Sequence, residues 1–157
     1  EGTKLYPQEI RSASYHGKFN KLLSVYANDN RWIKFIKTKN NRKTHEELIL
    51  RFFALYFDID NYKAPMKHFL NIYMNKNKNF KLQTKNKLDD IFNKTFAIVD
   101  KKLTKEHICL NGSNRVNTQL LDSILVGIAH NIDHIKSQSD DFIVTKINEL
   151  KNNISDD

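Results

Sequence analysis

HEELILRFFALYF, residues 45–57, is the densest apolar stretch of this chain. Leu48, Ile49, Leu50, Phe52, Phe53, Leu55, Tyr56 and Phe57 cannot share one helical stripe, because they occupy most of the circumference. A helix of that kind is covered by neighbours on several sides. It is also shorter than the ~20 apolar residues that a membrane span needs. The stretch therefore predicts a packed helix at the centre of a compact all-α domain. Thr44, with Glu47 three positions on, has the form of a capping box and marks the start.

Working outward, helical spacing continues on both sides. Pro7 suits a helix start, followed by Ile10, Ala13 and Tyr15, and Gly17 permits a turn. Phe19, Leu22, Leu23 and Tyr26 give a stripe for a helix over 18–28. Asn28-Asp29-Asn30 reads as a turn or cap. Trp32, Ile33, Phe35 and Ile36 predict a short helix. Beyond the connector at 58–63, Pro65 opens a helix with Met66, Phe69, Leu70, Tyr73 and Met74 on one side. Residues 76–87 are polar and rich in Lys and Asn, and fit either helix or loop. Leu88, Ile91, Phe92, Thr95, Phe96, Val99 and Leu103 then recur at helical spacing, as do Leu120, Leu121, Ile124, Leu125, Ile128 and Ile132. Asn111-Gly112-Ser113-Asn114 breaks the chain between them, with residues 107–110 extended just before it. Ile143, Ile147, Leu150 and Ile154 mark a last helix, expected to fray over 155–157. The pattern gives about seven helices in a single domain over 1–157. Four Gly and two Pro in 157 residues favour helices over many short strands.

Ten Phe, six Tyr and one Trp supply enough aromatic material for a core. The opening EGTKLYPQEIR carries no apolar run of the kind a signal peptide has. Cys109 is the single cysteine, so no internal disulfide forms, which fits a reducing cytoplasm. The formal charge is +8, which suits a polyanionic partner such as DNA or RNA; Lys- and Asn-rich coding bias is the plain alternative.

Catalytic chemistry is thin in the sequence. His130 and His134 stand at i and i+4, a spacing that zinc-protease helices use with Glu after the first His; here Asn131 holds that place. His107 and Cys109 lie two apart and would join a metal site only with distant partners, and capping or solvent-facing histidines explain both pairs better. Gly112 and Gly127 stand alone, so no phosphate loop is present. Cys109, between Ile108 and Leu110, reads as a small core residue. No catalytic residue, metal ligand or cofactor is assigned.

Charge distribution is more informative. Arg31, Lys34, Lys37, Lys39, Arg42 and Lys43 fall in one segment without an acid, interleaved with Trp32 and Phe35. Lys76, Lys78 and Lys81 open a second acid-free segment that runs to Lys87. Such segments can hold phosphates and stack on bases, or be solvated lysines around core aromatics. Arg51 shares a face with Leu48 and Leu55. It must find acceptors or snorkel, and Glu9 is its candidate partner, with Arg11 completing a structural polar cluster.

LYPQEIRSASYHGKFNKLL (residues 5–23) resembles the segment that follows the ParB-like nuclease domain in the GmrSD-type restriction endonuclease family. Gly2, Leu5, Glu9, Ile10, Arg11, Tyr15, Gly17, Phe19 and Asn20 match. A second match lies at Leu50, Arg51, Phe52, Phe53 and Ala54. Tyr62, Lys67, Phe69, Leu70, Asn71, Tyr73 and Met74 continue it. His45 stands where relatives often carry an acid. The later part, around Arg115, Asn117, Leu120, Leu121 and Asp122, is similar more loosely.

The family's Asp-Gly-Gln-Gln-Arg motif belongs to the ParB-like part and does not occur here; an HNH nuclease motif is also absent. Glu1-Gly2 falls inside a matched motif, so the resemblance implies a larger parent, a nucleotide-dependent restriction endonuclease acting on modified phage DNA. It implies that this stretch is the helical module behind the ParB-like domain, without catalysis of its own. A nucleoside triphosphate would be bound in the parent. Partners would be the ParB-like domain, in the same or a partner chain, and DNA, with no membrane and a cytoplasmic location. A helical protein-interaction domain with no nucleic-acid role is the alternative.

Overall fold

The computed structural model describes residues 2–155. They form an all-α structure of nine α-helices: α1 (Pro7–Ser14), α2 (Lys18–Ala27), α3 (Asn30–Ile36), α4 (Thr44–Asp58), α5 (Met66–Asn77), α6 (Leu82–Lys102), α7 (Thr118–His130), α8 (Ile132–Ser137) and α9 (Phe142–Ser155). Three 3-10 turns, at Asn41–Lys43, Ile59–Asn61 and Lys105–Ile108, link them. Among the described residues, no helix is long and apolar enough to cross a membrane. The fraying expected at the C-terminus concerns mainly Asp156 and Asp157, which lie outside the described residues.

Backbone contacts group the chain into two units. One takes the residues up to Asp29 together with Thr38–Leu88; the other takes Asn30–Lys37 and the residues from Asp89 onward. In the first unit, α4 packs on α1, α2 and α5. Ile49, Leu50, Phe52, Phe53 and Ala54 are buried, Leu48, Leu55 and Tyr56 are half-buried, and Phe57 is exposed. Phe53 meets Tyr26 edge-on at 5.3 Å, and Phe19 meets Tyr73 at 5.8 Å. Such pairs add to simple burial.

One local expectation is corrected in this unit, and another gains a second physical reason. The start of α4 is not capped by a Thr44–Glu47 box. Asn40 does that work: its Oδ1 accepts from the His45 amide at 3.0 Å, and its Nδ2 donates to Glu46 at 2.8 Å. Thr44 Oγ turns back to the Asn41 carbonyl, and Glu47 is drawn away by Arg11. Gly17 stands at the bend between α1 and α2 as expected, and it is also needed for a close approach. Its backbone is extended, and a Cβ there would lie 2.6 Å from the Lys78 carbonyl oxygen, which also accepts the Phe19 amide at 3.1 Å. Main chain gives way far less than a flexible side-chain tip, so any larger residue forces α2 away from this carbonyl.

In the second unit, Trp32, Phe35 and Ile36 of α3 are buried with α6. Phe96 meets Trp32 at 5.9 Å and stacks on Phe92 at 4.5 Å. Every residue of the expected α6 stripe from Leu88 to Leu103 is buried, and Ile98 joins it. His107 and Ile108 are not extended as expected but belong to the 3-10 turn, whereas Cys109 is extended and forms an isolated antiparallel bridge to Val116. Gly112, at φ 76°, supplies the left-handed residue of the loop that follows. Asn117 Oδ1 then caps α7 by accepting the Leu120 amide at 2.9 Å.

Candidate functional site

Two polar groupings are built on the N-terminal helix α1, which starts at Pro7 because proline needs no amide partner in the first turn. In the first, Arg11 is almost wholly buried, with its side chain 3% exposed. Its Nη1 donates to Gln8 Oε1 at 2.7 Å and to Glu47 Oε2 at 2.8 Å, while Nε donates to Asn71 Oδ1 at 2.9 Å. One guanidinium thus links α1 to α4 and α5. A planar fork with five N–H donors suits this role, and the Glu47 carboxylate balances the charge.

The second grouping lies around Glu9. Its carboxylate accepts the Tyr6 amide at 2.7 Å, which is half of a capping box at the head of α1. It also pairs with Arg42, at 2.9 Å to Nη2 and 3.2 Å to Nε. Arg42 donates further to the Lys4 carbonyl and lies 3.9 Å from the centroid of the Tyr6 ring. Arg42 and Lys43 both take left-handed backbone angles, φ 55° and 60°, an uncommon conformation for residues with a Cβ.

The hydrogen bonds from Arg42 hold the Glu9 carboxyl below the usual carboxylate range, with the Tyr6 amide second in effect. The sign follows from linkage: a folded-state pKa lowered below the unfolded one contributes stability above the unfolded value. That contribution is lost as pH falls through the folded value. In a side-chain NMR titration, Glu9 is expected to protonate at lower pH than an unpaired glutamate, and Arg42→Gln should raise its midpoint toward the ordinary range, with the Tyr6 amide still holding it down. An unchanged midpoint in Arg42→Gln would refute the pairing.

The residues singled out in the sequence therefore take the following places. Glu9 meets Arg42, and Arg11 meets Glu47. Arg51 is half-buried on α4, one turn beyond Glu47. Gln8, Glu47 and Asn71 carry the Arg11 cluster and were not assigned to it from sequence. The spacing of Glu47 from Thr44 has the local form of a cap, and Asn71 lies 60 positions from Arg11.

The basic residues do not form one described surface, because their first segment divides between the two units after Lys37. In the second unit, Arg31 donates to Asn93 at 2.7 Å and lies over Phe92, and Lys34 pairs with Asp100 at 2.9 Å. Lys37 is exposed. In the first unit, Lys39 and Lys81 are exposed, Lys43 and Lys78 are half-buried, and Lys76 stands 3.5 Å from Asp58.

His130 and His134 do not share a helix face as expected. Asn131 ends α7, with its Nδ2 donating to the Gly127 carbonyl at 2.8 Å, and α8 starts after it. His134 instead meets the Phe142 ring edge-on at 5.4 Å. His107 Nδ1 accepts the Thr104 amide at 2.9 Å, so this histidine caps a turn. Burial lowers the pKa of His45, whose Nε2 lies 3.0 Å from Thr38 Oγ. Among the described residues, no group of three or more His, Cys, Asp or Glu side chains is placed to hold a metal ion. Comparison with family models, with curated proteins and with solved structures returns no match to this chain.

Proposed function

We propose that this chain is the helical module of a DNA-restriction, anti-phage protein. In this reading it packs on a nucleotide-dependent ParB-like domain and contacts DNA, and leaves catalysis to other parts of the parent. The observation that carries the reading is the bond from Arg11 to Asn71. It joins the two sequence stretches that resemble the GmrSD-type family, 60 positions apart, through one buried charge. Of the candidate basic residues in the first unit, Lys39 and Lys81 are exposed and Lys78 is half-buried, so they are placed to be tested as phosphate contacts.

The second reading is a protein-interaction domain without a nucleic-acid role. It is favoured by the ion pairs Lys34–Asp100, Arg42–Glu9 and Lys76–Asp58, which engage part of the basic excess internally. Fluorescence anisotropy with duplex DNA over a range of salt separates the two. Phosphate contacts release counterions, so log K should fall linearly with log salt by about 0.9 per contact. The Lys39→Gln/Lys78→Gln/Lys81→Gln variant should flatten that slope. Binding that is absent, or insensitive to salt, would leave the interaction domain standing.

A further inference from the structure

A cavity of about 640 Å³ opens in the second unit beside the Lys105–Ile108 turn, the Asn111–Asn114 loop and α9. Small-molecule sites occupy roughly 300–1,000 Å³, so the space suits a compact ligand. Among the described residues, the charged side chains that line it are Lys37, Lys105, Lys151 and Glu106. Concave walls of one dominant sign concentrate the field on whatever enters.

Lys151 gives the wall a built component. It comes from α9, is 7% exposed, and donates from Nζ to the Glu106 carbonyl at 2.5 Å. The ammonium is thus anchored within the wall. Its charge reaches the turn: with burial as the larger cause, it helps to hold the His107 pKa down, while the Thr104 bond and Glu106 act the other way. Neutral donors flank the lysines. Asn111 and Asn114 carry side-chain amides, and the Ser113 hydroxyl accepts the Arg115 amide at 3.1 Å while keeping its own proton to donate.

We propose that this pocket binds a phosphate monoester, with Lys37, Lys105 and Lys151 facing its charge and the Asn111–Asn114 loop donating to its oxygens. A phosphate monoester carries about −1.5 to −2 at neutral pH, which suits a wall whose charged side chains are mainly ammonium groups. The group is carried either by a free small molecule or by a nucleic-acid 5′ end. The inference does not depend on the restriction reading.

The test is an amide NMR titration of the whole chain with inorganic phosphate, with ionic strength held constant by chloride. Saturable shifts at Gly112 and Ser113 are expected. The Lys37→Gln/Lys105→Gln variant, checked for retained helix by circular dichroism, should bind about tenfold more weakly. Lys151→Gln serves as a second variant if that one unfolds. Adenosine monophosphate binding more tightly than phosphate would support a free small molecule. Tighter binding of a 5′-phosphorylated oligonucleotide, lost without its terminal phosphate, would support a nucleic-acid end. Equal shifts in chloride alone, no saturation, or identical titrations in folded variants would overturn the site.

Discussion

Phe53→Ala is expected to lower the unfolding free energy by about 3–5 kcal/mol, the usual range for removing a large aromatic from a packed core. Phe53 has no exposed surface, meets Tyr26 at 5.3 Å and Phe52 at 5.4 Å, and lies on the helix that contacts α1, α2 and α5. The loss combines the transfer of the ring to water with the cavity it leaves. Phe57→Ala is the internal control, because that ring is exposed on the same helix. Its cost should be well below that of Phe53→Ala. Denaturant unfolding that gives both variants the same small change would refute the packing of α4 described here.

The Arg11 cluster should show the second large effect. Arg11→Met removes a buried ion and leaves the carboxylate and two carboxamide oxygens without their donor, at a cost of about 3–5 kcal/mol. Glu47→Gln keeps the shape and removes the counter-charge. Glu47 is 29% exposed, so water offsets part of the loss and about 2–3 kcal/mol is expected. The double variant should cost less than the two singles together by about 1–3 kcal/mol, because both act on one contact. Additive losses would show that Arg11 and Glu47 contribute independently.

The elements themselves were legible wherever burial follows helical period. The α6 stripe from Leu88 to Leu103 and the α7 stripe from Leu120 to Ile128 are buried as their spacing requires. Pro7, Pro65 and the Asn28–Asn30 turn mark boundaries for local reasons of backbone chemistry. The break between α7 and α8 is masked in the apolar pattern because Ile124, Ile128 and Ile132 keep the same period across it. The signal was Asn131, a residue whose side chain can satisfy a carbonyl at a helix end, four positions after Gly127.

Partners across the chain were less legible, for a physical reason. Arg51 stands out in sequence because its neighbours are apolar, yet the most buried guanidinium of the two is that of Arg11, on a helix with few apolar residues. Its burial is created by α4 and α5 folding over it, which no local pattern of α1 encodes. In the same way, Glu47 fits a capping box locally, but a charged donor within 2.8 Å outcompetes a backbone amide for the carboxylate. The basic segment at residues 31–43 reads as one strip of charge, whereas its two halves belong to different units.

The proposed restriction role is tested most directly by reading the coding sequence upstream of Glu1 together with its neighbouring genes. An Asp-Gly-Gln-Gln-Arg motif of a ParB-like domain is expected, in the same reading frame or in an adjacent gene. A coding region and neighbours without that motif would contradict the proposed function, and would leave a helical domain whose basic charge needs another explanation.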